Sequence, residues 1–125
     1  MSFKIRLGVP DVIDIWSDFC ERRKKQTLSK GEIIFHNKLG KVFNLLANNP
    51  KHHSLSSHEI KPLTKRYGLK VWESYIENNV PAAGRIFWVY GPNKSEITVI
   101  AIEPHPEDKK RGTYDRINLS ALPKN

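Results

Sequence analysis

GRIFWVYGPNKSEITVIAIE, from Gly84 to Glu103, is the stretch on which the fold turns. It holds two runs rich in β-branched and aromatic residues, Gly84 to Tyr90 and Glu96 to Glu103. Between them lies Gly91-Pro92-Asn93-Lys94, which is turn chemistry. In the first run Ile86, Trp88 and Tyr90 fall on one face of a strand, and Arg85, Phe87 and Val89 on the other. The first set is the larger apolar one and is expected on the core side, which places Arg85 on the opposite face. Upstream, Leu69 to Glu77 is a third strand-like run, set off by Asn78-Asn79-Val80-Pro81. Connections this short favour an antiparallel meander.

Outward from the meander, the N-terminal half carries helical periodicity. Phe3 to Leu7 alternates apolar and basic residues, a short strand ended by Gly8. Pro10 and Asp11 suit the first turn of a helix over Pro10–Lys25, in which Val12, Trp16, Phe19 and Cys20 recur at helical spacing. Glu21-Arg22-Arg23-Lys24-Lys25 places cations at its C-terminus, where the macrodipole favours them. A second helix, Ser29–Asn48, begins at a capping box formed by Ser29 and Glu32. Its apolar stripe is Phe35, Leu39, Val42, Phe43 and Leu46, and Asn48-Asn49-Pro50 stops it. The short link between the two predicts an antiparallel helical hairpin. Lys51 to Tyr67 is polar and predicts a surface segment with a helical turn at Ser57 to Leu63. The order is β-α-α-β-β-β, an α+β chain with two helices on one face of an antiparallel sheet of about four strands. The other sheet face is expected to be partly open. Residues 1–125 form a single domain on this reading, with 104–125 as a polar tail.

Composition bounds the function. The chain has 125 residues, enough for one core. It is 38% hydrophobic, and Trp16, Trp72 and Trp88 support a folded protein. A formal net charge of +8 favours a polyanionic partner, against the plainer reading of charge for solubility. Cys20 is the only cysteine, which excludes an internal disulfide and a cysteine-based zinc site. The start is not a signal peptide and no apolar run approaches membrane-spanning length, so a cytoplasmic location without membrane contact is expected. Phosphate-loop, dinucleotide and zinc-protease motifs are absent from the sequence.

The remaining polar residues include candidates for chemistry. Arg85 at the start of its strand suits bidentate phosphate binding, or equally an ion pair with Glu73 or Glu103. Glu73 shares a strand face with Val71 and Tyr75, and beside an arginine it is either a general base or an ion-pair partner, the pair being the commoner outcome. His105, between Pro104 and Pro106, is a candidate proton shuttle. Lys61, Lys65, Arg66 and Lys70, interleaved with Tyr67 and Trp72, form a phosphate-tracking patch or a solvated basic face. Lys109, Lys110 and Arg111 add cations in the tail. His52, His53 and His58 lack metal-pair spacing and read as solvated loop residues.

These residues also resemble a known family. The element order, Lys61-Pro62-Leu63 ahead of a strand with Trp72-Glu73, the strand Arg85 to Tyr90, and Ile97 to Ile102 followed by His105 and Tyr114 are similar to the RelE/ParE superfamily of toxins from type II toxin–antitoxin systems. Tyr114-Asp115-Arg116-Ile117 resembles the tail of its HigB-type branch. Two features depart from the pattern: Tyr75 stands where the family often has arginine, and Pro106 to Thr113 lengthens the gap between His105 and Tyr114. The resemblance implies a ribosome-dependent, metal-independent mRNA endonuclease without cofactor, neutralised by a cognate antitoxin. In such an enzyme Arg85 stabilises phosphorane charge, helped by Lys110 or Arg111. Glu73 or His105 is the base, and Tyr114 or His105 the acid. Members of ParE type instead poison DNA gyrase and cleave nothing, and a basic nucleic-acid-binding module without toxicity is the further alternative.

Overall fold

The computed structural model describes residues 2–76, 84–103 and 119–123. Its elements are β1 (Lys4–Leu7), α1 (Asp11–Lys24), α2 (Lys30–Asn48), a 3-10 turn (His53–Leu55), β2 (His58–Glu59), α3 (Lys61–Tyr67), β3 (Trp72–Tyr75), β4 (Arg85–Tyr90) and β5 (Glu96–Glu103). The architecture is α+β, with both predicted helices present to within a residue or two. The capping box of α2 forms as expected: the Ser29 hydroxyl accepts from the Glu32 N–H and the Glu32 carboxylate accepts from the Ser29 N–H. That backbone donor, and then the Arg22 guanidinium, hold the Glu32 carboxyl below its usual range.

The sheet differs from expectation in size and in direction. Among the described residues it has five strands in the order β1-β5-β4-β3-β2, and it is mixed rather than antiparallel. Neighbours β5-β4, β4-β3 and β3-β2 run antiparallel, but β1 lies parallel to β5, with Lys4 opposite Glu96 and Leu7 opposite Val99. Short connections force antiparallel pairing only on consecutive strands. β1 reaches β5 through the whole intervening chain, so nothing in its own sequence sets its direction. The fifth strand, β2, is two residues long and sits in the segment read as surface loop. β3 spans only Trp72–Tyr75, the middle of the longer run expected.

One face of the sheet carries α1 and α2. Val12, Leu39, Val42 and Leu46 pack there against Ile86, Trp88, Ile97, Val99 and Ile102. The indole N–H of Trp88 donates to Ser74 Oγ at 2.8 Å, and Ser74 meets Ser57 Oγ at 2.6 Å. Ser57 in turn donates to the Pro50 carbonyl at 2.7 Å, so this hydroxyl chain ties the link after α2 to the sheet. Tyr90, expected on the core side, ends its strand 42% exposed.

The opposite face is not open. Phe87, Val89 and Ile100 are fully buried there with Ile60, Leu63, Val71 and Ala101, under Tyr67, Leu119 and Leu122. The cover comes from α3 and from residues 119–122. α3 starts later than the predicted turn: Ile60 precedes it without a side-chain cap, Pro62 sits in its first turn, and Gly68 ends it at φ 85°, a conformation open to glycine. A register shift between Phe87 and Trp88 inserts Ile100 as an extra residue of β5. Ile100 and Ala101 consequently share the second face, and Glu103 comes opposite Arg85.

Residues 119–122 are anchored through Ser120. Its N–H donates to Ile100 O at 2.8 Å, and its carbonyl accepts from Tyr67 Oη at 3.1 Å. Its hydroxyl accepts from Val12 N–H at 3.1 Å, capping α1, whose own N-cap is Pro10 and offers no side-chain cap. Gly8 makes this close approach possible, because a Cβ there meets Ser120 Cβ at 2.6 Å and Val99 O at 2.8 Å. Gly8→Ala is expected to destabilise the fold by about 1–3 kcal/mol through backbone displacement. Urea unfolding measures this, and an unchanged midpoint contradicts the anchored geometry.

Candidate active site on the second sheet face

β3 lies between β2 and β4, and this placement builds the site. Glu73 is opposite His58 on β2 and opposite Phe87 on β4. Arg85 pairs in register with Tyr75 and so stands diagonal to Glu73 on the same face. Glu73 Oε2 is 3.0 Å from Arg85 Nη1, and Oε1 is 2.9 Å from His58 Nε2. Neither contact is aligned as a hydrogen bond, so charge and proximity hold both oxygens. The side-chain exposures are 0% for Glu73, 19% for Arg85 and 46% for His58. A buried carboxylate is thus bracketed by a mostly buried guanidinium and a half-exposed imidazole.

The flanking groups orient both partners. The Arg85 guanidinium lies 5.5 Å from the centre of the Phe87 ring, on its own strand face. His58 Nδ1 is 2.9 Å from the Ser56 carbonyl, and its ring is 5.9 Å from that of Tyr75. Ser56 adopts a left-handed conformation, φ 49°, which turns the chain from the 3-10 segment into β2. Glu103 faces Arg85 from β5 in register.

Arg85 therefore lies on the face away from α1 and α2, but not as the exposed group the alternation implied. The second core shields it, and its loss leaves a buried charge behind. Sequence pattern alone does not single out His58, which reads as one of several loop histidines. Its one signal is local: His58-Glu59-Ile60 ahead of Lys61-Pro62 is a short extended stretch leading into a helix. Lys61, Lys65 and Arg66 are exposed on α3, and Lys70 is exposed just after it. α3 packs on the Arg85 face through Leu63, so this basic patch and the carboxylate cluster share one side of the sheet. His105, Tyr114, Lys109, Lys110 and Arg111 lie outside the described residues. Among the described residues, no helix is long and apolar enough to cross a membrane.

No protein-family model, curated protein or solved structure matches the chain.

Proposed function

We propose that the chain is the toxin of a toxin–antitoxin pair and cleaves mRNA on the ribosome, in the cytoplasm, until a cognate antitoxin protein binds it. One observation carries the reading: Arg85 and His58 are gathered on buried Glu73, on the sheet face that also presents Lys61, Lys65 and Arg66. The family resemblance of the sequence supports it, as does a net charge of +8 directed at a polyanionic ribosome. In this reaction the ribose 2′-hydroxyl attacks the adjacent phosphate, leaving a cyclic phosphate and a 5′-hydroxyl. Arg85 stabilises the charge that develops on phosphorus, and the lysines of α3 track the backbone. Glu73 is too buried to reach a ribose, so it acts as a positioning residue, leaving His105 as the candidate base and Tyr114 as a candidate acid.

Induction in cells, with mRNA followed over minutes, tests the proposal. Rapid mRNA loss is the expected result. A DNA-damage response without mRNA loss points to a gyrase poison, and normal growth to an inert basic module; either overturns the nuclease reading. In vitro, four phosphate contacts by Lys61, Lys65, Arg66 and Lys70 predict that RNA affinity falls about fiftyfold between about 50 and 200 mM salt. A flat response removes the basic patch from the interface.

A further inference from the structure

We infer that the groove between α2 and the 3-10 turn is a docking site for an acidic segment of a partner protein, which seats one large apolar side chain there. The groove is on the α2 side of the sheet, away from Arg85, and its occupancy does not depend on nuclease activity. It opens into a cavity of about 220 Å³. Val42 of α2, Leu55 of the 3-10 turn and Ile76 after β3 are buried and form its floor, with Leu45 beside them. Lys41 is exposed and, with half-buried Lys38, marks the rim. No carboxylate is among the described residues that line it.

Size and chemistry select the occupant. Pockets for cofactors or drug-sized molecules run to roughly 300–1,000 Å³, whereas an apolar cavity of about 150 Å³ already holds a benzene-sized group. This cavity falls between the two and fits one large side chain. Its aliphatic floor disfavours a nucleobase, whose polar ring edge would lose hydrogen bonds to water against hydrocarbon. Leucine, isoleucine or phenylalanine carries no such cost. Lys38 and Lys41 set the sign of the residues that flank the anchor: Asp or Glu beside it meets a lysine. A second copy of this chain suits the site poorly, since it brings a further net charge of +8.

α2 extends the site lengthwise. Ile34, Lys38, Lys41 and Leu45 recur at helical spacing and form one stripe along the helix. Ile34, at one end, is 50% exposed. From Ile34 to Leu45 the helix rises about 16 Å, about three turns. A partner helix of that length can lay apolar residues at the two ends of the stripe and acids at its centre. Charge for solubility accounts for the two lysines alone. It does not account for a cavity with a buried aliphatic floor beside them, or for an exposed isoleucine in line with both.

Peptides of about twelve residues, enough for three helical turns, are displayed and selected on the immobilised full chain. Those recovered are expected to carry a leucine, isoleucine or phenylalanine with Asp or Glu within one turn of it. In the tightest peptide, replacing that apolar residue by alanine is expected to weaken binding about tenfold to a hundredfold. Lys38→Glu with Lys41→Glu is expected to weaken it about tenfold or more. Lys4→Glu with Lys94→Glu makes an equal change of net charge at two exposed positions off the groove, and is expected to change binding less than about threefold. Each variant is compared at equal folded concentration. On methyl-labelled protein, the Val42, Leu45, Leu55 and Ile76 signals are expected to shift as the peptide is added. Equal losses from the two lysine pairs, or shifts that bypass those four residues, reveal general attraction of acid to a basic protein and overturn the site. A selection that yields no peptide, or none that depends on its apolar residue, overturns it too. If a short RNA shifts the same methyl signals and displaces the peptide, the groove belongs to nucleic acid and the protein-partner assignment falls. mRNA loss on induction is read separately, so failure here leaves the nuclease reading in place.

Discussion

Arg85→Ala is expected to damage the protein in two separable ways. Removing a group that stabilises developing charge commonly costs on the order of 3 kcal/mol of activation, about a hundredfold in rate. Removing one partner of a buried pair also leaves the fully buried Glu73, among the described residues, with only His58 as its ion-pair partner. Breaking such a pair costs about 3–5 kcal/mol of stability, a large share of the roughly 5–15 kcal/mol that holds a small domain together. Pairing Arg85→Ala with Glu73→Gln separates the two effects. The double variant no longer buries an unpaired charge, so it should recover about half or more of the lost stability. It should recover none of the cleavage, because the guanidinium is still missing. Urea unfolding and mRNA cleavage at equal folded concentration supply the two readouts. A single variant as stable as wild type removes the buried pair from the account. A single variant that is folded and fully active removes Arg85 from the site. Arg85→Lys keeps the charge without the planar fork, so its stability should exceed that of Arg85→Ala while its cleavage stays low.

Phe87→Ala is expected to cost about 3–5 kcal/mol, as does deletion of a large aromatic side chain from a packed interior. The ring is fully buried on the face away from α1 and α2, among Ile60, Leu63, Val71, Val89 and Ile100. It also underlies the Arg85 guanidinium. The substitution should therefore lower activity in the fraction that stays folded, in addition to lowering stability. A cost below about 1 kcal/mol is what an open sheet face predicts, since surface substitutions usually stay within about 0.5 kcal/mol. Denaturant unfolding distinguishes the two.

Local rules made much of this molecule legible in its sequence. The capping box at Ser29 and Glu32, the stripe from Phe35 to Leu46, and the alternation from Arg85 to Tyr90 each depend on residues a few positions apart. Backbone geometry alone relates such residues. Those rules sufficed for α1, α2, β4 and β5, and for the separation of Arg85 from the helix-facing set. Even the alternation has a limit at β5. Counted strictly from Ile97, Glu103 falls on the face of Val99, and it is the extra residue Ile100 that turns it toward Arg85. Both faces of β5 are apolar, so its own pattern shows no preferred side and no trace of the bulge.

By itself the sequence determined the class of the fold, the two long helices α1 and α2, the strands β1, β4 and β5, and the set of charged residues available for chemistry. Only the tertiary structure decided which of them meet. The parallel pairing of β1 with β5, the cover of α3 and residues 119–122 over the second face, and the capping of α1 by Ser120 join positions far apart in the chain. The same holds for His58 against Glu73: one side chain resembles any loop histidine and the other any strand glutamate until β2 pairs with β3. The reason is that periodicity and capping record how a residue meets its near neighbours. Pairing between distant segments is set by which arrangement buries the most apolar surface while satisfying the backbone, a property of the whole chain that no short stretch contains.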